Sequence, residues 1–218
     1  MIPENFENTM QSKIPSYVFA GGHNRRMNGI HKAFLEFDGQ KSIDLILANL
    51  KKTGFSSIKI VTNNRHLFSH MATVEIIEDR VPDQGPMGAL YTVLEDTPTN
   101  MVFCVACDMP YFDRTLVANL LKLAEHGEYD CVVPVSEHGI EPLFALYSKT
   151  LIPALRESIN QDKRSLHRFI QTCNAKYLDL RKHGYTLCNI NTPDEYQAMI
   201  SKKNGEYFED SGGQSGCH

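Results

Sequence analysis

The strongest constraint in this chain is an alternation of short apolar runs with longer segments of helical period. A strand buried on both faces reads as an uninterrupted apolar run, and MVFCVAC at residues 101–107 is of that kind, with 102–106 as a central strand. Further runs at 17–20, 58–62, 74–77, 131–135 and 143–147 predict more strands. Between them, helical period recurs at 42–53, 87–95, 116–125, 151–159 and 166–172. This order predicts the α/β class, with a parallel sheet covered by helices on both faces. Local signals agree. Gly54 can end the first helix in the left-handed conformation, Gly85-Pro86 makes a turn before the second, and Thr192, Pro193 and Glu195 form an N-cap, first-turn proline and capping box for the last.

A chain of 218 residues, 42% of them hydrophobic, can bury one sizeable core, and no linker or repeat divides it. The expected organisation is a flexible N-terminal segment at 1–15, one domain at 16–201 and a polar, Gly-rich disordered tail at 202–218. The formal charge of -4 offers no overall basic field for nucleic acid or an anionic membrane, so an anionic substrate must meet a local basic cluster. The first sixteen residues lack the pattern of a signal or transit peptide, and no stretch is apolar enough to span a bilayer. Six cysteines are too sparse for a disulfide scaffold and read as reduced thiols, which predicts a cytoplasmic protein.

The loop GGHNRRMNGIHK, Gly21 to Lys32, follows the first strand directly, where α/β sheets bind their ligands. Adjacent glycines Gly21 and Gly22 let the backbone approach an anion, and Arg25, Arg26 and Lys32 bring three cations suited to a triphosphate. A solvated basic loop is the alternative; the glycine pair after a strand favours the anion cradle. Neither the spacing of a Walker loop nor a GxGxxG fingerprint is present.

Asp108 closes the run MVFCVAC. A carboxylate there faces the ligand crevice and suits Mg²⁺ shared with phosphates, although position alone fits a turn-capping Asp equally well. Cys104 and Cys107 point to opposite faces of a strand and read as core. Lys163, Arg164, His167 and Arg168 form a second basic group, which from the residues alone reads as the polar face of a helix. The nine histidines include no HExxH and read mostly as surface residues.

In order and spacing, FAGGHNRRMNGIHK, VTNNRH, IIEDRVPDQGPMGAL, CDMPY and NINTPDE resemble the motifs of the molybdenum cofactor guanylyltransferases, over residues 16–201. The resemblance implies a single Rossmann-like nucleotidyltransferase domain with a mixed, mostly parallel sheet, GTP as substrate and Mg²⁺ as cofactor. It implies that Phe19, Ala20, Gly21, Gly22 and Arg25 line the nucleotide, that Arg26 and Lys32 hold the triphosphate and act in catalysis, and that Asp108 binds the metal. Thr62 or Asn64 and Asp79 match positions that contact the nucleoside, and Gly85 and Pro86 the turn beside the base. Arg164, Asn189 and Asn191 match the region of the pterin. The chain departs from the family pattern at Phe19 (usually Leu), Asn28 (Gly), His31 (Asp), Thr62 (often Asn) and Ala89 (Gly).

The implied reaction moves GMP from GTP to the terminal phosphate of molybdopterin, with transient contacts to other cofactor-biosynthesis proteins and recipient molybdoenzymes. The alternatives are CMP transfer to molybdopterin, nucleotidyl transfer to phospholactate or a sugar phosphate, and a non-catalytic protein that delivers GTP or cofactor. FAGG resembles the guanylyl branch, since cytidylyl relatives more often carry AAG.

Overall fold

The computed structural model describes residues 13–21, 31–185 and 187–203. After β1 (Ser16–Phe19) come a small hairpin of β2 (Glu36–Phe37) and β3 (Gln40–Lys41), helix α1 (Ser42–Thr53), β4 (Ile58–Val61) and β5 (Glu75–Ile77). Helix α2 (Pro86–Asp96) leads to β6 (Met101–Ala106), β7 (Tyr111–Phe112), α3 (Arg114–Glu125), β8 (Cys131–Ser136), β9 (Gly139–Ile140) and β10 (Phe144–Ser148). Helices α4 (Ile152–Asn160) and α5 (Leu166–Ile170), strands β11 (Ala175–Asp179) and β12 (Leu187–Cys188), and helix α6 (Pro193–Lys203) follow.

The main sheet runs β11-β8-β10-β6-β1-β4-β5, with β9 paired to β8. Strand β1 is parallel to β4 and β6, β4 to β5, and β8 to β11; β10 runs against its neighbours β6 and β8, and β9 against β8. The sheet is therefore mixed and mostly parallel, in one domain. Because the chain steps from β1 to β4 on one side and returns to β6 on the other, β1 sits at the switch point where open α/β sheets open a crevice at their carboxyl ends.

Burial divides between the two faces as the apolar runs require. Val18, Ile60 and Val105 pack under α1 and α3, whereas Tyr17, Val61 and Cys104 pack under α2, α4 and α5. In α1 the predicted stripe of Ile43, Ile46, Leu47 and Leu50 is buried, each such side chain contributing about 1.5–3 kcal/mol, and Gly54 ends the helix at φ 83°. Cys104 and Cys107 lie in the two different clusters, and burial raises both thiols above their usual range, as core residues should behave.

Several details differ from the sequence expectation. Strand β11 is an edge strand of mixed, half-exposed residues and carries no apolar run to betray it. The β2–β3 hairpin turns at Asp38 (φ 53°) and Gly39 (φ 75°), the backbone a two-residue turn demands. Helix α5 stops at Ile170 rather than 172, and α6 runs on to Lys203. Ile14 is already buried and its carbonyl accepts the Ser56 N–H, so packing begins just before residue 16.

Helix α2 comes unusually close to the loop before it. A Cβ on Gly88 would stand 2.3 Å from the Val81 carbonyl oxygen, which is backbone and cannot swing away. Gly88→Ala should therefore cost about 1–3 kcal/mol, as overpacked sites do, read as a lower midpoint in urea unfolding. An unchanged midpoint would show that the loop yields freely.

Candidate active site

The carboxyl ends of the parallel strands are knitted together by backbone hydrogen bonds. Ala20 N donates to Val61 O (2.9 Å), Thr62 N to Ile77 O (3.0 Å) and Cys107 N to Phe19 O (3.0 Å). This extends the ladder past the strands and carries Ala20, Thr62 and Asp108 to one edge. Thr62 is 1% exposed, and its hydroxyl donates to Ala20 O (2.8 Å) while accepting from Asn64 N (3.1 Å), so that hydroxyl is spent on the protein. Asn64, half-exposed, is the outward-facing member of that pair.

Three distant residues meet at this edge. Lys32 Nζ donates to Asp108 Oδ2 at 2.8 Å and to Asn191 Oδ1 at 2.9 Å. The Lys32 and Asp108 side chains are only 19% and 14% exposed, so the two charges are substantially withdrawn from water. Each serves as the other's counter-ion, since a buried charge left alone is strongly destabilising. Asp108 Oδ1 is buried and has no hydrogen-bond partner among the described residues. A buried anionic oxygen with unused lone pairs is a hard donor, and it fits a divalent cation shared with phosphates.

Asn191 reaches Lys32 because the segment around it is anchored twice. Ile190 is fully buried with Leu35 and Phe37, next to the β2–β3 hairpin, and its N–H donates to the Asp108 carbonyl at 3.0 Å. The next residues close the expected capping box on α6: Glu195 N donates to Thr192 Oγ1 (3.2 Å), and Glu195 Oε2 accepts from the N–H groups of Thr192 (3.3 Å) and Asn191 (2.6 Å). Tyr196 secures α6 to the hairpin, its hydroxyl donating to Glu36 O at 2.7 Å. Asn189 is exposed beside this anchor. An apolar residue between two asparagines was the signal for Ile190, and sequence reasoning passed over it.

The remaining candidates fall in two groups. Gly85 adopts φ 57° and is the N-cap of α2, with Pro86 in the first turn. Asp79 shapes the loop that leads there: Oδ1 accepts from Val81 N (3.0 Å) and from the Thr92 hydroxyl (2.9 Å), while partial burial raises its pKa. Arg164 lies against the same loop, bonded to Asp162 at 2.8 Å and, through Nη1, to the Asp83 carbonyl at 3.2 Å; its described bonds do not run to Lys32, Asp108 or Asn191. Phe19 is 6% exposed and packs in the core under α2, so only its backbone reaches the edge. Gly21 is exposed, with open space where a Cβ would stand, whereas Gly22, Arg25 and Arg26 lie outside the described residues. Most described histidines are exposed, as the surface reading expects; His31, 8% exposed, is the exception. A cleft of about 600 Å³ beside β5, lined in part by Arg65, Phe68 and Ile76, includes none of the three residues that meet at Lys32.

A switch-point crevice holding a lysine, a carboxylate and an amide defines an α/β protein with a polar site at the carboxyl ends of its parallel strands. Comparison with known proteins makes this specific. The model of the MobA-like NTP transferase domain matches residues 16–178, and the chain belongs to that family. It is a nucleotidyltransferase. A probable molybdenum cofactor guanylyltransferase from Clostridium perfringens is 28% identical over 202 residues, covering 88% of this chain and 98% of that protein. The molybdenum cofactor guanylyltransferase of Vibrio cholerae is 28% identical over 189 residues, covering 86% and 92%. Among solved structures, molybdopterin-guanine dinucleotide biosynthesis protein A from Archaeoglobus fulgidus matches with a TM-score of 0.74 at 24% identity, over 88% of this chain and all of that one. A CMP:2-keto-3-deoxy-manno-octonic acid synthetase shares the fold at a TM-score of 0.72 and 9% identity, over 88% and 98%.

Asp108→Asn keeps the shape of the side chain and an acceptor for Lys32 but removes the negative charge. It should lower the thermal midpoint, because Lys32 loses its counter-ion, and abolish the divalent-metal dependence of nucleotide binding by the folded protein, measured by calorimetry with and without Mg²⁺. Metal-dependent binding that survives would move the cation elsewhere.

Proposed function

We propose that the chain transfers GMP from GTP to the terminal phosphate of molybdopterin, forming the guanine dinucleotide cofactor and releasing pyrophosphate. The observation that carries this reading is the meeting of Lys32, Asp108 and Asn191 at the carboxyl ends of β1 and β6. The named activity of the guanylyltransferase relatives supports the choice of base and acceptor.

In this reading the pterin phosphate is the attacking group and is already anionic at neutral pH, so no protein base is assigned. The phosphate oxygen forms a bond to the α-phosphorus of GTP as the bond to the bridging oxygen breaks, and pyrophosphate carries away the electron pair. Lys32 turns its ammonium to the outer phosphates, and Arg26 adds a second cation. Asp108, relieved of Lys32, would hold Mg²⁺, which would supply charge neutralisation at the leaving group. Asn191, with Asn189 beside it, presents amides toward the acceptor, a role supported by its contact with Lys32. Catalysis on this account is positioning and charge neutralisation.

The test is incubation with molybdopterin, Mg²⁺ and each of the four nucleoside triphosphates, with identification of any dinucleotide by mass spectrometry. A guanine dinucleotide formed only with GTP is expected; a cytosine dinucleotide, or no product, overturns the reading. Lys32→Ala should weaken GTP at least tenfold, about 1.4 kcal/mol, and GMP far less. Equal losses would mean that Lys32 does not hold the outer phosphates.

A further inference from the structure

His31 immediately precedes the lysine at the centre of the site and is buried, unlike an ordinary loop histidine. Its ring packs edge-on to Phe68 with centroids 5.6 Å apart and tilted against Phe34 at 5.5 Å. Its Nδ1 accepts the Ala33 N–H at 3.3 Å, capping the short 3-10 turn Lys32–Phe34. A nitrogen that accepts carries no proton, so the ring proton of the neutral form must sit on Nε2. Nε2 is itself buried without a hydrogen-bond partner among the described residues. The Ala20 carbonyl nevertheless lies near enough to act on the ring, at the end of β1 where the glycine loop begins. Burial outweighs that carbonyl and lowers the imidazole's pKa, which keeps the ring neutral at pH 7.

We infer that His31, as the Nε2–H tautomer, is a positioning residue that fixes the backbone of Lys32–Phe34 and thereby aims the Lys32 ammonium at Asp108 and Asn191. The ring does so from between the two ends of the glycine loop, one at Ala20 and the other at Lys32. A side-chain acceptor is required because the first N–H groups of a helical turn have no partner within it. The aromatic pair supplies rigidity, since the ring packs against both Phe34 and Phe68. The inference rests on the reading of Lys32 as the residue that holds the outer phosphates, and its test separates the two.

The first measurement needs no activity. Imidazole ¹⁵N spectra of the full chain at pH 7 should show His31 neutral with its proton on Nε2, and the Ala33 amide should exchange slowly. A proton on Nδ1, or a charged ring, overturns the inference even if the enzyme is a guanylyltransferase. The second compares His31→Ala, His31→Asn and His31→Gln by the ratio of GTP to GMP dissociation constants. An Asn amide oxygen stands where Nδ1 stood and can accept from Ala33, whereas Gln places its amide near Nε2. Loss of a cap corresponds to about a threefold to tenfold change. His31→Ala and His31→Gln should therefore lose GTP preference over GMP by that factor, and His31→Asn should restore it to within twofold. A general loss of stability would instead weaken both nucleotides and spare none of the variants, which overturns positioning. Wild-type preference in all three variants overturns it as well. If the wild type binds no triphosphate, the functional reading fails while the tautomer and the Ala33 exchange still decide this one.

Discussion

The ammonium of Lys32, held between the Asp108 carboxylate and the Asn191 amide, is the contact on which the site depends. It joins positions 76 and 159 residues apart in the chain, so no local structure can supply it. Each partner is delivered by a different part of the fold. Lys32 follows the loop after β1, Asp108 lies two residues past the strand next to β1, and Asn191 rides on the anchor that begins α6. Parallel pairing of β1 with β6 brings the first two together at one edge, and the buried Ile190 brings the third. Neither charge could persist in so enclosed a place without the other.

Much of this was legible before any coordinates, because the strongest signals were apolar. The uninterrupted run at 101–107 announces a strand covered on both faces, and the placing of Asp108 at the crevice follows from where that run stops. The capping box at Thr192 was readable because its signals, Thr192, Pro193 and Glu195, fall within four consecutive positions. The β2–β3 hairpin had a readable signal too, in Asp38-Gly39, but its strands are two residues long and form no apolar run. Strand β11 was silent for a different reason. At the sheet edge only Leu178 is buried, so its residues are free to be polar.

The roles of individual polar residues were less legible, since they depend on which partner folding brings. Thr62 looks like a ligand contact by position, yet its hydroxyl is consumed in joining the ends of two strands. Arg164 belongs to a basic stretch, but its guanidinium meets a backbone carbonyl 81 residues away, on the loop that Asp79 shapes. Asp83 and Asp162 both adopt left-handed backbone there, at φ 67° and 54°. No periodicity encodes such a meeting. His31 departs from the other described histidines because Phe34 and Phe68, the latter from a separate segment, cover its ring.

The anchor at Ile190 also sets an order of assembly. A ribosome releases the chain from its amino end, so Lys32 and Asp108 are both available long before Asn191 is made. During that interval β1 and β6 can already pair, and the lysine and carboxylate can already neutralise one another. The amide arrives only when Ile190 settles against Leu35 and Phe37 and α6 closes over the hairpin. The residue that completes the crevice therefore lies in the part of the described chain that is made last.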